Sequence, residues 1–206
     1  MFARVTLRAT DVEASARFYD VVLATLGRER TEADGGAVAW GDFLLAPATD
    51  AEPPTRRLHI GFGAASREHA DSFWEAGRAA GAPDDGSPGP RTVYGPDYYG
   101  AFLLDPDGNS AEAVHHSTVR PDAIDHLWIR VADVAASRRF YLAFGERAGF
   151  GLRDDTPDRA QFAPEGGAGS FSVVAGDAPT EHVRMAFPGG DAGEERDPDG
   201  NVAETV

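Results

Sequence analysis

The amino-acid sequence predicts an α+β protein built by tandem duplication of strand–helix–strand units. Three pairs of similar segments support the duplication, and they occur in the same order in both halves of the chain. The pairs are residues 3–19 with 125–141, 58–62 with 181–187, and 105–114 with 197–206. Alternating strands, helices and turn signals within each half favour mixed sheets covered by helices.

The spacing between the paired segments sets the expected domains. The first pair is offset by 122 residues, and the second, aligned on His59 and His182, is offset by 123. The third pair is offset by only 92 residues, so the second copy is 31 residues shorter. We therefore expect a complete domain over 1–117, a polar linker over 118–122, and an abridged domain over 123–206. The abridged domain lacks the counterparts of one helix and about two strands.

The first βαβββ unit has clear local signals. Val5 and Leu7 alternate with polar residues, which is typical of a half-buried strand. Thr10 or Asp11 can cap the helix that follows, and Gly27 can close it. Short strands are expected between residues 37 and 47, where Gly and Pro mark the turns.

The second unit of copy one repeats this order. Ile60 and Phe62 begin its first strand, and a helix is expected from about residue 66 to 80. Further strands are expected around 91–94, 99–104 and 110–116. The Asp-Pro-Asp-Gly-Asn segment at 105–109 predicts a turn between the last two strands, because Pro restricts φ and Gly and Asn tolerate positive φ.

Composition excludes several classes of protein. The 206-residue chain carries 34 acidic and 19 basic residues, a formal net charge of −15, which argues against a nucleic-acid or anionic-membrane partner. Cysteine is absent, so disulfides, thiolate metal sites and a cysteine nucleophile are excluded. No apolar stretch is long enough to span a membrane, and the first residues do not resemble a signal peptide, so a cytoplasmic location is expected.

Strand alternation selects candidate metal ligands in copy two. Apolar residues of the strand at 125–132 share one face, which places His126 and Trp128 on the other face. His182 and Glu204 likewise oppose the apolar residues of their own strands. Two imidazoles and one carboxylate suit Fe(II), Mn(II), Zn(II) or Ni(II) and leave positions open for substrate oxygens. His59 and Glu112 are the corresponding, weaker candidates in copy one.

These motifs resemble the vicinal oxygen chelate superfamily, which includes glyoxalase I, bleomycin-resistance proteins and extradiol dioxygenases. The resemblance is carried by the opening strand and helix with Asp-Val-Glu-Ala-Ser-Ala-Arg-Phe-Tyr, by Leu-His-Ile-Gly-Phe, and by Asp-Pro-Asp-Gly-Asn followed by a strand Glu. It implies that paired βαβββ modules form a cup holding a divalent metal. The implied ligand positions are Arg4, His59 and Glu112 in copy one and His126, His182 and Glu204 in copy two.

The resemblance also implies roles for individual residues. Arg4 stands where copy one would need a ligand, so it is expected to pair with Glu112 and to contact substrate instead of a metal. Glu204 or Glu112 would be the catalytic carboxylate that moves a proton. Tyr99 and Trp128 are the expected aromatic contacts of the substrate, with Tyr99 belonging to a tyrosine cluster that includes Tyr94 and Tyr98.

The sequence is compatible with two functions. The first is a metal-dependent enzyme of the glyoxalase or dioxygenase type that acts on a small oxygen-rich molecule by bidentate chelation. The second is a metal-free protein that sequesters an antibiotic or metabolite. Val183, Met185 and Phe187 have no helix of their own to cover them, so we expect them to pack on copy one or on a second chain, which favours a homodimer.

Overall fold

The computed structural model describes residues 1–189 and 191–206, and these form three α-helices and fifteen β-strands. The helices are α1 (Val12–Ala24), α2 (Arg67–Ala79) and α3 (Val134–Ala148). The strands of the first half are β1 (Arg4–Ala9), β2 (Thr31–Glu32), β3 (Val38–Trp40), β4 (Phe43–Pro47), β5 (His59–Gly63), β6 (Asp84–Pro90), β7 (Tyr99–Leu104) and β8 (Ser110–His115). Those of the second half are β9 (Ile124–Val131), β10 (Gly151–Thr156), β11 (Arg159–Ala163), β12 (Ser170–Ala175), β13 (Arg184–Phe187), β14 (Gly193–Arg196) and β15 (Val202–Thr205).

The strands form two mixed sheets, as the α+β prediction requires. The seven-stranded sheet has the order β14-β15-β13-β1-β4-β3-β2. The eight-stranded sheet has the order β10-β11-β12-β9-β5-β8-β7-β6. Each copy contributes one unit to each sheet, because β1 pairs antiparallel with β13 and β5 pairs antiparallel with β9. Each sheet is therefore shared between the two copies.

Helices α1 and α3 begin at capping aspartates. The Asp11 side chain accepts a hydrogen bond from the backbone N–H of Ala14, and Asp133 accepts one from Ala136. The Asp-Pro-Asp-Gly-Asn turns are also alike in the two copies. Tyr19 of α1 donates a hydrogen bond to Asp105, and Tyr141 of α3 donates one to Asp197, so each turn is fastened to the first helix of its own copy.

The apolar faces of the sheets pack on the helices, and the opposite faces are polar. Helices α1 and α2 approach closely at Gly77, where an added Cβ would lie 2.3 Å from the Leu103 side chain and 2.9 Å from that of Val22. Copy one buries Tyr19, Trp40, Phe43 and Phe62 in its core, and copy two buries Tyr141, Phe144, Phe162, Phe171 and Phe187. The polar faces are left free to carry sites.

The second unit of copy two is abridged as predicted, but among the described residues it lacks one strand and not about two, because β14 is retained as a short strand. Among the described residues it has no helix and has three strands where copy one has four, with β14 four residues long against six for β7. Val183, Met185 and Phe187 are nonetheless fully buried. The Phe187 ring lies 5.5 Å from that of Phe2 in copy one and 5.7 Å from that of Phe144 in α3. Phe187 thus packs on copy one, the first of the two expected alternatives, and these buried residues give no support to a homodimer.

The three helices are too short and too polar for any described part of the chain to cross a membrane in helical form.

Candidate metal centre

Three candidate ligands meet on the polar face of the eight-stranded sheet. The Nε2 atom of His59 lies 2.9 Å from Oε2 of Glu112, and the Nε2 atoms of His59 and His126 lie 3.1 Å apart. Nε2 of His126 lies 3.1 Å from the same Glu112 oxygen. All three ligand atoms fall within 4.8 Å of one another, so one ion could contact all of them. The group joins the two copies, because His126 belongs to copy two.

The register of three neighbouring strands builds this cluster. Gly61 of β5 stands directly beside His126 of β9 on one side and beside Glu112 of β8 on the other. A Cβ on Gly61 would lie 2.3 Å from the His126 ring, so glycine leaves the space in which the two flanking side chains meet. Gly100 plays the same part on the far side, where a Cβ would lie 2.4 Å from Oε1 of Glu112.

A serine orients the imidazole of His59. The Ser110 hydroxyl donates its proton to Asp85 at 2.6 Å, so its oxygen can only accept from Nδ1 of His59 at 3.1 Å. Nδ1 of His59 therefore holds a proton, and in the neutral ring the lone pair is on Nε2, which points into the cluster. This is the tautomer that metal binding requires.

A carboxylate orients His126 in the same way. Asp125 accepts a hydrogen bond from Nδ1 of His126 at 3.0 Å, and its other oxygen accepts one from Nε2 of His116 at 3.1 Å. A carboxylate behind a histidine ligand fixes the ring and increases its basicity. Both imidazoles thus present Nε2 to the same point, and the donor set fits a divalent first-row metal.

The charges of the cluster depend on its burial and its hydrogen bonds. Burial opposes ionisation of both Glu112 and His126, but the hydrogen bonds and charges between them prevail. The pKa of Glu112 is lowered to about 2, and the pKa of His126 is raised to about 10. Burial likewise opposes ionisation of Asp125, but hydrogen bonds from His116 and His126 lower the pKa of that carboxyl group. Without a metal, a proton on His126 neutralises Glu112, and a metal would displace it.

Tyr98 supports the second oxygen of the Glu112 carboxylate. Its hydroxyl donates a hydrogen bond to Oε1 of Glu112 at 2.9 Å. Burial and the negative charge of Glu112 raise the pKa of Tyr98, so the phenol stays protonated and remains a donor. Oε2 is thereby left to face the two imidazoles.

A cavity of about 650 Å³ opens beside this cluster. His126, Asp125 and Trp128 line it from β9, and Tyr94 and Tyr98 line it from the segment before β7. The volume is in the range of small-molecule sites. The Trp128 ring lies 6.1 Å from that of His59, so the predicted contact residue Trp128 is part of this cavity's wall.

The seven-stranded sheet carries a second cluster at the equivalent position. Arg184 has the place of His59, because it pairs with Val202 as His59 pairs with Ser110. Nη1 of Arg184 lies 2.7 Å from Oε2 of Glu204, and Nη2 of Arg4 lies 3.5 Å from Oε1 of the same carboxylate. Two guanidinium groups, which cannot ligate a cation, thus neutralise Glu204.

The structure forms a different group from the predicted set of His126, His182 and Glu204. His126 meets His59 and Glu112, whereas Glu204 meets Arg4 and Arg184. The alignment of His59 with His182 was wrong by two positions. His182 corresponds to Arg57, since both adopt positive φ, 59° and 60°, just before their strands. Alignment of Phe62 with Phe187, the last large residue of each strand, places Arg184 opposite His59.

Arg4 and Tyr99 also lie elsewhere than expected. Arg4 pairs with Glu204 and not with Glu112, because β1 joins β13 in the seven-stranded sheet while Glu112 lies in the other sheet. Tyr99 donates its hydroxyl to Asp71 of α2 at 2.7 Å and so faces the helix. Its neighbour Tyr98 faces the cluster, as strand alternation requires.

Sequence reasoning missed the groups that hold the histidines. Ser110 and Asp85 bear on His59, and Asp125 bears on His126. Asp125 could have been found, because a carboxylate next to a candidate ligand is a common orienting partner. The hydrogen bond from Ser110 to Asp85 could not be predicted from the sequence. Asp85 lies in β6 and Ser110 in β8, and these strands are not neighbours in the sheet.

Comparison with known proteins identifies the family. Residues 4–114, more than half of the chain, match the model of a glyoxalase-like domain. A glyoxalase/bleomycin resistance protein from Albidiferax ferrireducens T118 is 35% identical, with 56% of this chain and 99% of that chain covered and a TM-score of 0.51. Glyoxalase I from Zea mays is 17% identical and aligns over 100% of this chain and 91% of its own, with a TM-score of 0.65. No curated protein matches the sequence.

The chain therefore belongs to the glyoxalase-like domain family, and its fold is that of the vicinal oxygen chelate superfamily. The maize enzyme supports the fold alone, since its sequence is too different for more. The resemblance predicted from the sequence motifs is confirmed.

Proposed function

We propose that this protein is a metal-dependent enzyme acting on a small oxygen-rich molecule, with the metal held by His59, Glu112 and His126. The observation that carries the proposal is the convergence of two Nε2 atoms and one carboxylate oxygen within 4.8 Å. Each imidazole is oriented from behind by a hydrogen bond at Nδ1. Structural histidines do not need this convergence, whereas metal ligands do.

The donor set narrows the choice of metal. Two imidazoles and one carboxylate favour Fe(II), Mn(II), Zn(II) or Ni(II) over Ca(II) or Mg(II). When bound, such a metal supplies Lewis acidity toward two neighbouring oxygens of the substrate. Three protein ligands leave enough positions for both oxygens.

The surrounding residues would prepare the site for this chemistry. Glu112 is ionised and is held in place at Oε1 by Tyr98. We assign to Glu112 the catalytic role expected for either Glu112 or Glu204, because Glu204 is neutralised by Arg4 and Arg184. Trp128 forms one wall of the cavity and would limit water on that side of the substrate.

The second candidate function is that of a metal-free protein that sequesters a small molecule. The aromatic wall formed by Tyr94, Tyr98 and Trp128 favours this function, since aromatic surfaces bind flat ligands without a metal. Under this alternative the hydrogen bonds among His59, Glu112 and His126 would be structural.

Metal titration separates the two functions. We would strip tag-free protein with a chelator, titrate it with Mn(II) and Zn(II) in a calorimeter, and compare His126→Asn with His182→Asn. The first variant removes a ligand, and the second changes a histidine outside the cluster at a positive-φ position that Asn tolerates. We expect one ion per chain for the wild type and His182→Asn, and none for His126→Asn. Absence of binding to the wild type would leave sequestration as the function.

A further inference from the structure

The cavity beside the metal centre has two chemically different ends. The end near β7 carries aromatic rings, with Tyr94 and Trp128 packed edge-to-face at 5.5 Å between centroids. The other end is formed by polar side chains of the three strands beyond β9, namely Arg153, Arg159, Gln161 and Ser170. A ligand filling the cavity would touch both ends.

The strand order separates the charges of the cavity. Asp97 precedes β7, on one side of the metal centre, and accepts a hydrogen bond from the backbone N–H of Ser117 at 2.7 Å. Asp125 accepts hydrogen bonds from His116 and His126 and so belongs to the metal centre. Arg153 and Arg159 belong to β10 and β11, at the opposite edge of the sheet. The cavity is thus acidic at one end and basic at the other.

One positive charge at the basic end is free. Arg159 forms an ion pair with Asp154, which compensates its charge. Arg153 has no carboxylate partner within 4 Å among residues 1–189 and 191–206, and its side chain is exposed at the rim. In a chain with a net charge of −15, an unpaired guanidinium facing a cavity is available for an anionic ligand.

The aromatic end is also incompletely covered. Tyr94 is 48% exposed and Val93 is 83% exposed, and both line the mouth of the cavity. A flat apolar ligand lying against Tyr94 and Trp128 would remove this surface from water.

We propose that the cavity selects a planar aromatic carboxylate, with its ring against Trp128 and Tyr94 and its carboxylate at Arg153 and Gln161. The inference rests on the proposed function only for the two further substrate oxygens, which would lie at the metal centre. Arg153 is then a specificity-determining residue, because its guanidinium can bind a carboxylate through two parallel hydrogen bonds.

The experiment uses 2-naphthoate and 2-naphthamide, which share a ring system and differ in charge. Their dissociation constants would be measured by equilibrium dialysis on metal-stripped and on zinc-treated protein. The variants are Arg153→Gln and, as a control, Arg139→Gln, which removes an exposed arginine of α3 away from the cavity. We expect naphthoate to bind about tenfold tighter than naphthamide to the wild type and Arg139→Gln. This ratio should fall to about one in Arg153→Gln.

Three outcomes would overturn the inference: no binding of naphthoate, equal binding of both probes to the wild type, or a preference that survives Arg153→Gln. If the preference survives only in zinc-treated protein, the metal and not Arg153 binds the carboxylate. The metal-stripped series does not depend on the metal centre. A preference there that requires Arg153 would stand even if the protein failed to bind zinc, so this inference and the proposed function can fail separately.

Discussion

Two clusters occupy equivalent positions in the two sheets, and they differ in what they can bind. On the eight-stranded sheet, His126, Gly61 and Glu112 form one row across three strands. On the seven-stranded sheet the same row reads Arg4, Ala186 and Glu204. His59 and Arg184 complete the two clusters.

This comparison separates the backbone frame from the chemistry placed on it. The three strands that carry each cluster have the same register and direction in both sheets, so the backbone arrangement alone does not make a metal site. An imidazole offers a lone pair to a cation, whereas a guanidinium offers only donors and carries its own charge. At the position equivalent to Gly61, Ala186 carries a Cβ, and on Gly61 such an atom would collide with the His126 ring. Three substitutions thus account for the change from a ligand set to an ion-pair cluster.

The largest expected effect is a new metal site on the seven-stranded sheet. The triple variant Arg4→His, Arg184→His, Ala186→Gly restores the ligands and the space, so the number of zinc ions bound per chain should rise from one to two. Calorimetric titration gives the stoichiometry. The new site should be about 10–100-fold weaker than the native one, because Ala3 and Val202 stand where the native site has Asp125 and Ser110 to orient its histidines.

The double variant without Ala186→Gly serves as the control for the new site. It should bind the second ion more weakly than the triple variant, because the alanine methyl group crowds the introduced histidine. Equal affinities in the double and triple variants would show that the glycine is not needed.

The next effect concerns the partner that orients His126. Asp125→Ala gives the native site the residue found at the equivalent position of the other sheet, Ala3. Metal affinity should fall about 10–100-fold while the stoichiometry stays at one. Asp122→Asn, an exposed change three residues earlier, should leave the affinity unchanged. A similar loss in both variants would point to general damage to the start of β9.

Metal binding at the cluster of His59, Glu112 and His126 should depend on pH. The pKa of His126 is raised to about 10 in the metal-free site, so binding of a metal at neutral pH must release that proton. Metal affinity should therefore increase about tenfold per pH unit from pH 7 and level off near pH 10. Proton release can be measured by repeating the titration in buffers of different ionisation enthalpy. A pH-independent affinity would contradict a protonated His126.

The smallest effect is expected from breaking the ion pairs on the seven-stranded sheet. Glu204→Gln removes the charge shared by Arg4 and Arg184, whose side chains are partly exposed to solvent. The free energy of unfolding should decrease by about 1 kcal/mol or less, measured by urea denaturation. Metal binding should be unchanged, in contrast to Glu112→Gln, which should abolish it. A loss of metal binding in Glu204→Gln would indicate that the two sheets are coupled.

Much of the fold and part of the site could be predicted from the sequence. The duplication, the missing helix, and the polar faces carrying His59, Glu112, His126 and Glu204 follow from spacing and alternation. The grouping of these residues could not be predicted, because it depends on β5 pairing with β9 and β1 with β13. No local pattern records which copy a strand will pair with. The error at His182 arises because a shift of two residues leaves strand alternation unchanged, so alternation cannot distinguish His182 from Arg184.

The exchange of units between the sheets has a consequence for how the chain folds during synthesis. Val5 of β1 pairs with Met185 of β13, so residues 180 positions apart must meet to complete the seven-stranded sheet. At a translation rate of about 5–20 residues per second, this edge of β1 waits roughly 10–40 s for its partner. Contacts so distant in sequence slow folding and leave a strand edge open to other chains in the meantime. Correct assembly of the nascent protein therefore requires that the open edge of β1 does not pair with another chain before β13 is made.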